Sequence, residues 1–167
     1  MRLIAACLAA GVMLAASPAS AQNAKLVKSF GSWHVFVHGD AGDKICFAAS
    51  QPQSIKPENV NRGPIFCYLT TWQKDGVRNE VSIKLGYPVK PAGKPNIAIG
   101  SQKYELFPKG DKVFLKDPDE ERKLIAAMKK GASLTVTSIS TRGTTTIDDY
   151  DLSGISAALK ELGNVCQ

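Results

Sequence analysis

The chain has 167 residues, with 21 lysines and arginines against 15 aspartates and glutamates, which gives a formal net charge of +6. This length suits one domain that buries about two-thirds of its unfolded surface. The basic residues do not alternate along the chain with exposed aromatic residues, which argues against nucleic-acid binding. The lysines are interpreted as solvent-exposed residues on the surface of a sheet, or as residues that attract the protein weakly to anionic envelope or host-cell surfaces.

The first residues have the pattern of a secretory signal peptide. Arg2 supplies a positive charge, residues 3–16 form an apolar run, and Ala-Ser-Ala at 19–21 is a small-x-small cleavage signal. The apolar run is shorter than the stretch of about 20 residues that a membrane-spanning helix needs. The sequence therefore predicts cleavage of residues 1–21, export, and a single mature domain of residues 22–167.

Strand patterns dominate the predicted domain. SWHVFVH, KICFAAS and PIFCYLTTW are short and apolar or alternate between apolar and polar residues. A Lys-Asp-Gly turn at 74–76 precedes VRNEVSIKLGYP, and NIAIGSQKYELF has the pattern of a hairpin with Gly100-Ser101 at its tip. A turn at 108–110 precedes DKVFLKD, and a threonine-rich hairpin follows around Arg142-Gly143. The spacing predicts about eight or nine antiparallel strands.

Two short helices interrupt the strands. Residues 117–131 begin with the N-cap Asp117 and a proline at the first helical position, and they end with a glycine stop at Gly131. Glu120 is expected to complete a capping box. Residues 153–163 place apolar side chains on one helical face. The predicted fold class is therefore mainly β, an antiparallel β-sandwich or barrel-like single domain with two short helices.

Motifs for catalysis, metals and cofactors are absent from the sequence. There is no nucleophile elbow, Walker loop, zinc signature or dinucleotide fingerprint. His34 and His38 share a strand face but stand about 13 Å apart, too far to hold one metal. We therefore predict no enzyme, no cofactor and no metal site. The alternative is a small periplasmic enzyme that uses Asp148, Asp149 or Cys67, or a ligand carrier, although the two aspartates are interpreted first as a solvated face.

The loop NVNRGP contains the candidate recognition residues. Asn61 and Arg62 precede a Gly-Pro turn, and a guanidinium held on such a turn could recognise an anion. The alternative is an ordinary turn arginine. Asn61 and Arg62 are therefore kept as candidates for surface recognition.

Three cysteines follow the predicted cleavage site, namely Cys46, Cys67 and Cys166, and an odd number leaves one unpaired in an oxidising compartment. Loop entropy barely separates the pairings, because a Cys46–Cys166 link stabilises by only about 1.5 kcal/mol more than a Cys46–Cys67 link. Strand alternation places Cys67 on the expected core side and Cys46 among polar neighbours, which predicts different environments. The residues alone leave both pairings open and slightly favour Cys46–Cys166.

Six motifs are distributed along nearly the whole predicted domain. They are FGSWHVF, KICFAASQP, NVNRGPIF, VRNEVSIKLGYP, YELFPKGDKVFL and LIAAMKKGASLTVTSISTRGTTTIDDYDLSGISAAL. In this order they resemble the invasion-associated locus B family of exported proteobacterial proteins. The resemblance implies a β-rich protein that is periplasmic, outer-membrane-associated or released, and that is linked to host-cell invasion. It also implies a Cys46–Cys166 disulfide, with Cys67 as a buried free thiol.

The leading functional hypothesis combines export, this resemblance and the missing catalytic motifs. It describes a non-enzymatic binding or envelope-associated protein that supports host-cell adhesion or invasion. Its expected partner is an unidentified component of the envelope or of the host-cell surface, with peripheral membrane association as one possibility.

Overall fold

The computed structural model describes residues 24–167, so the predicted signal peptide lies outside the described residues. This part of the chain forms twelve β-strands and two α-helices. The strands are β1 Lys25–Phe30, β2 Trp33–His38, β3 Ile45–Ser50, β4 Ser54–Lys56, β5 Phe66–Trp72, β6 Val77–Lys84, β7 Asn96–Ile99, β8 Gln102–Glu105, β9 Phe107–Lys109, β10 Lys112–Phe114, β11 Ser133–Ile139 and β12 Thr145–Asp151. The helices are α1 Pro118–Met128 and α2 Ile155–Val165.

The strands form two antiparallel sheets. The first has seven strands in the order β1-β2-β3-β5-β6-β10-β9, and the second has five in the order β4-β12-β11-β7-β8. Side chains from both sheets and both helices join one hydrophobic core, as Val35, Leu69, Val136 and Leu124 illustrate. This arrangement confirms the predicted fold class. Of the two predicted architectures, the described strands form the sandwich.

Local sequence patterns account for most of the strands. Leu134 and Val136 of β11 are buried and alternate with more exposed neighbours, as a strand with one face on the core requires. The predicted turns at Gly76, Gly100 and Gly143 all have positive φ, which glycine adopts without strain. Two strands lie outside the predicted pattern: β1 is almost entirely exposed, and β4 has only three residues, in a segment where the sequence predicts no strand.

Helix α1 begins as predicted but ends differently. The Asp117 side chain accepts a hydrogen bond from the Asp119 N–H, and proline occupies the start of the helix. Glu120 accepts from Lys123 at 2.7 Å, and this contact takes the place of the expected capping box. The predicted left-handed stop at Gly131 is wrong, since this residue does not have positive φ. Position 131 requires glycine for a steric reason, because an added Cβ would lie 2.7 Å from Ile99 Cγ2.

Helix α2 packs its apolar stripe into the core. The predicted stripe is confirmed, with Ile155, Ala158, Leu159 and Leu162 all buried. The helix starts after Gly154, two residues later than the predicted start.

The structure pairs Cys46 with Cys166 in a disulfide and leaves Cys67 as a buried free cysteine, which confirms the predicted pairing. The strand-alternation argument, however, is wrong. Cys46 lies opposite Thr71 and Cys67 lies opposite Ser50, so both cysteines face the same side of the sheet, and both are fully buried. They stand four residues apart along the strands, or about 13 Å. Distance along the sheet, rather than orientation, therefore separates them.

Candidate functional site

The loop that contains NVNRGP connects the two sheets. The Arg62 side chain reaches the carbonyl of Leu85, directly after β6 of the seven-stranded sheet, and the carboxylate of Asp148 on β12 of the five-stranded sheet. Arg62 therefore lies where the end of one sheet approaches the other.

Two glycines hold this loop in place. The N–H of Gly63 donates to the carbonyl of Gly86 at 2.8 Å. Gly86 has a φ of 73°, and a Cβ at this position would lie 2.3 Å from the Gly63 carbonyl oxygen. A side chain at Gly86 would be strained by its backbone conformation and would also collide with the loop. The backbone contact between the two glycines therefore places Arg62 beside the segment Gly86–Pro88.

Arg62 and Asp148 form a buried bidentate ion pair. Nη1 and Nη2 of the guanidinium each lie 2.6 Å from a carboxylate oxygen, and the two side chains are only 4% and 0% exposed. The guanidinium also donates to the Leu85 carbonyl and stands 5.0 Å from the centre of the Tyr87 ring. Burial lowers the pKa of Arg62, but the hydrogen bonds and charge of Asp148 outweigh burial and leave this pKa raised. Arg62 is thus a permanently charged group in a fixed geometry.

This arrangement changes the interpretation of two predicted residues. Arg62 was expected at the surface, whereas the structure turns its guanidinium inward, so that the anion it holds is Asp148 of the same chain. The interpretation of Asp148 as part of a solvated face is wrong. A signal was present in the sequence, because Asp148 alternates with Thr146 and Tyr150, two other buried positions of β12. An aspartate at a core-facing position requires a partner, but the sequence does not say which one.

A polar cleft of about 540 Å³ opens beside the ion pair. The residues that line it include Asn59, Asn61, Arg62, Tyr87, Arg142 and Thr146. The hydroxyls of Tyr87 and Thr146 are hydrogen-bonded to each other. Arg142 is exposed on the β11–β12 turn and forms no ion pair among residues 24–167. The cleft therefore offers amides, hydroxyls and one uncompensated guanidinium, which are groups that bind anionic or hydroxylated ligands.

The other candidate reactive groups are either buried or hydrogen-bonded within the protein. Burial raises the pKa of the Cys67 thiol, which keeps it protonated and poorly nucleophilic near neutral pH. Asp149 accepts hydrogen bonds from Ser54 and Thr135, and Asp148 is paired with Arg62. The part of the chain that the structure describes has no group of three His, Cys, Asp or Glu side chains placed to hold a metal ion. In the same range, no helix is both long enough and apolar enough to cross a membrane.

These features define a class of protein: a mainly β, sandwich-like domain closed by one disulfide, with a polar cleft between the ends of its sheets. A family model described as invasion associated locus B (IalB) protein matches residues 117–163, which confirms the resemblance seen in the motifs. The matched segment includes Asp148 and Arg142. A search of curated proteins and a search of solved structures each found no match.

Proposed function

We propose that this protein is an exported, non-enzymatic binding protein that acts through surface contacts in the envelope or at the host cell, and that it supports adhesion or invasion. The family match supports a link with invasion. The observation that carries the binding role is the cleft beside the Arg62–Asp148 pair.

The cleft combines a rigid base with an accessible charge. The ion pair and the Gly63–Gly86 contact fix the position of its floor, so a ligand would meet groups that are already ordered. The guanidinium of Arg142 stands at the rim, with its charge uncompensated within residues 24–167. We therefore expect the ligand group to carry hydroxyls together with a carboxylate or a phosphate.

The composition of the cleft favours binding over catalysis. Its hydroxyl-bearing side chains, Ser140 and three threonines among them, have no histidine, cysteine or carboxylate beside them in the lining. A hydroxyl nucleophile needs an adjacent general base, and the carboxylate nearest to the cleft, that of Asp148, is neutralised by Arg62.

Export is supported by the cysteines as well as by the N-terminal sequence pattern. Disulfides persist in oxidising compartments, and the Cys46–Cys166 bond ties the end of α2 to a central strand of the larger sheet. The remaining cysteine is buried, which keeps its thiol away from disulfide exchange.

The test is complementation of a deletion strain of the native bacterium. We expect deletion to reduce host-cell association or envelope integrity, and the wild-type protein to restore it. Asn61→Ala and Arg142→Ala should not restore it, whereas Arg78→Ala, which removes an exposed arginine on β6 outside the cleft, should.

Binding of purified protein to host cells gives the quantitative readout. A charge-assisted hydrogen bond is worth about 1.5–3 kcal/mol, so Arg142→Ala should raise the half-saturating concentration at least about tenfold. Unchanged phenotypes of the deletion strain in both assays would overturn the proposal. Full activity of both cleft variants would show that the cleft is not the binding site.

A further inference from the structure

The outward side of the seven-stranded sheet is unusually rich in aromatic residues. Strand partners that lie directly opposite share a face, and the side opposite the core contains Phe36, Phe47, Phe66, Tyr68, Phe107 and Phe114, here called the aromatic face. All six side chains are partly exposed. Five of the chain's six phenylalanines therefore lie on a solvent-facing surface, although phenylalanine is usually a core residue.

The rings form a nearly continuous apolar strip. Phe36 and Phe47 stack with centroids 5.2 Å apart, Phe47 lies 6.0 Å from Tyr68, and Tyr68 lies 5.5 Å from Phe66. Phe107 and Phe114 form a second pair at 5.7 Å. The strip thus crosses strands β2, β3 and β5 and continues on β10 and β9.

Exposed aliphatic residues border the same face. Leu26, which is 51% exposed, is the strand partner of Phe36, and Val77, which is 39% exposed, is the partner of Trp72. They are two of the four large hydrophobic side chains most exposed to solvent in residues 24–167. Their position extends the apolar surface beyond the rings.

A row of lysines adjoins the rings on the same side. Phe66, Lys84, Lys112 and Lys109 are successive direct partners on β5, β6, β10 and β9. Like charges directly opposite destabilise a sheet. Protection of the sheet edge explains a lysine on β9 but not one on the interior strand β6. Acidic groups also adjoin this side: Asp111 lies 3.9 Å from Lys84, and Glu80 accepts a hydrogen bond from Trp72.

We propose that the aromatic face docks on an anionic lipid surface. Seven strands span about 29 Å at a spacing of about 4.8 Å, which is a broad surface suited to a planar partner. Phenyl rings and Leu26 would contact the boundary between headgroups and acyl chains, while the lysine row would meet lipid phosphates. A second copy of this face is a poor partner, since it would bring two lysine rows together. This interaction is separate from the Arg62 cleft and holds or fails independently of the proposed ligand there.

The test is cosedimentation of the purified, disulfide-linked protein with vesicles. We expect binding to vesicles of phosphatidylcholine with 30 mol% phosphatidylglycerol, weak binding to phosphatidylcholine alone, and loss of binding at high salt. Each lysine near an anionic membrane contributes about fivefold to the partition coefficient, so Lys109→Ala with Lys112→Ala should lower it about 25-fold. The matched control is Lys129→Ala with Lys130→Ala, which removes the same charge at the end of α1.

A second pair of variants tests the apolar contribution. Leu26→Ser should weaken vesicle binding, while Ile147→Ser, at an exposed position of the five-stranded sheet, should not. Arg142→Ala should bind vesicles normally even if it fails in host-cell assays, which separates this surface from the cleft. The proposal is overturned by absence of binding at low salt, by equal losses in test and control variants, or by binding to polyglutamate but not to vesicles, which would assign the face to an acidic protein.

Discussion

Breaking the buried ion pair should strongly destabilise the fold. Asp148→Ala leaves a guanidinium that is 4% exposed with the Leu85 carbonyl as its remaining acceptor. Removing one partner of a buried pair costs about 3–5 kcal/mol, because the charge that remains is desolvated and uncompensated. Domains of this size are stable by only about 5–15 kcal/mol. The melting temperature should therefore fall by about 6–20 °C.

Replacing both partners should behave differently. Arg62→Met combined with Asp148→Leu removes both charges and leaves no ion unpaired, so its free energy of unfolding should lie close to that of the wild type or above it. In a double-mutant cycle, the two single losses would then greatly exceed the loss in the double variant. This non-additivity is the signature of a desolvated pair.

The assay is chemical denaturation under non-reducing conditions, followed by tryptophan fluorescence and accompanied by thermal melts. Arg142→Ala is the control, since an exposed arginine should change stability by no more than about 0.5 kcal/mol. Losses below about 1 kcal/mol for both Asp148→Ala and Arg62→Met would refute the reasoning, because a solvated pair contributes only that much.

Three further predictions concern the cysteines and pH. Replacing Cys46 and Cys166 by serine should lower the free energy of unfolding by about 4–5 kcal/mol, because the bond spans 120 residues; equal stability of oxidised and reduced wild type in denaturant titrations would contradict this. Cys67 should react with a maleimide only after denaturation, since burial raises its pKa and excludes the reagent; fast native labelling would argue for an accessible thiol. Burial raises the pKa of Glu121 above its ordinary value of 4.5. The contribution of this carboxyl group to the free energy of unfolding is therefore fully present below pH 4.5 and is lost as the pH rises through the folded-state pKa. Glu121→Gln should therefore make the free energy of unfolding less dependent on pH between pH 4 and pH 7, and the variant should become more stable relative to the wild type towards pH 7. Parallel pH profiles for the two proteins would contradict the raised pKa of Glu121.

Local patterns were sufficient for most of the secondary structure. Some features depend only on residues close together in the sequence and can therefore be predicted from it. They are the alternation in β11 and β12, the glycine turns and the Asp117 cap. The short strand β4 escaped prediction because its three residues are stabilised by pairing with β12, which is far away in sequence. Gly131 was assigned a conformational role, but its role depends on its distance from Ile99 in a different element.

The sequence also indicated one mainly β domain, its two helices and its cysteine pairing, the last with the help of family resemblance. The partner of Arg62 could not be identified from the sequence, because Asp148 lies 86 residues away along the chain and on the other sheet. The same holds for the aromatic face, whose five phenylalanines are scattered along five strands. Sheet order and register bring such residues together, and both depend on long-range pairing that no local pattern encodes. The local sequence therefore determined the secondary structure, whereas the aromatic face required the strand order of the seven-stranded sheet, and the ion pair and the cleft required both sheets to pack together.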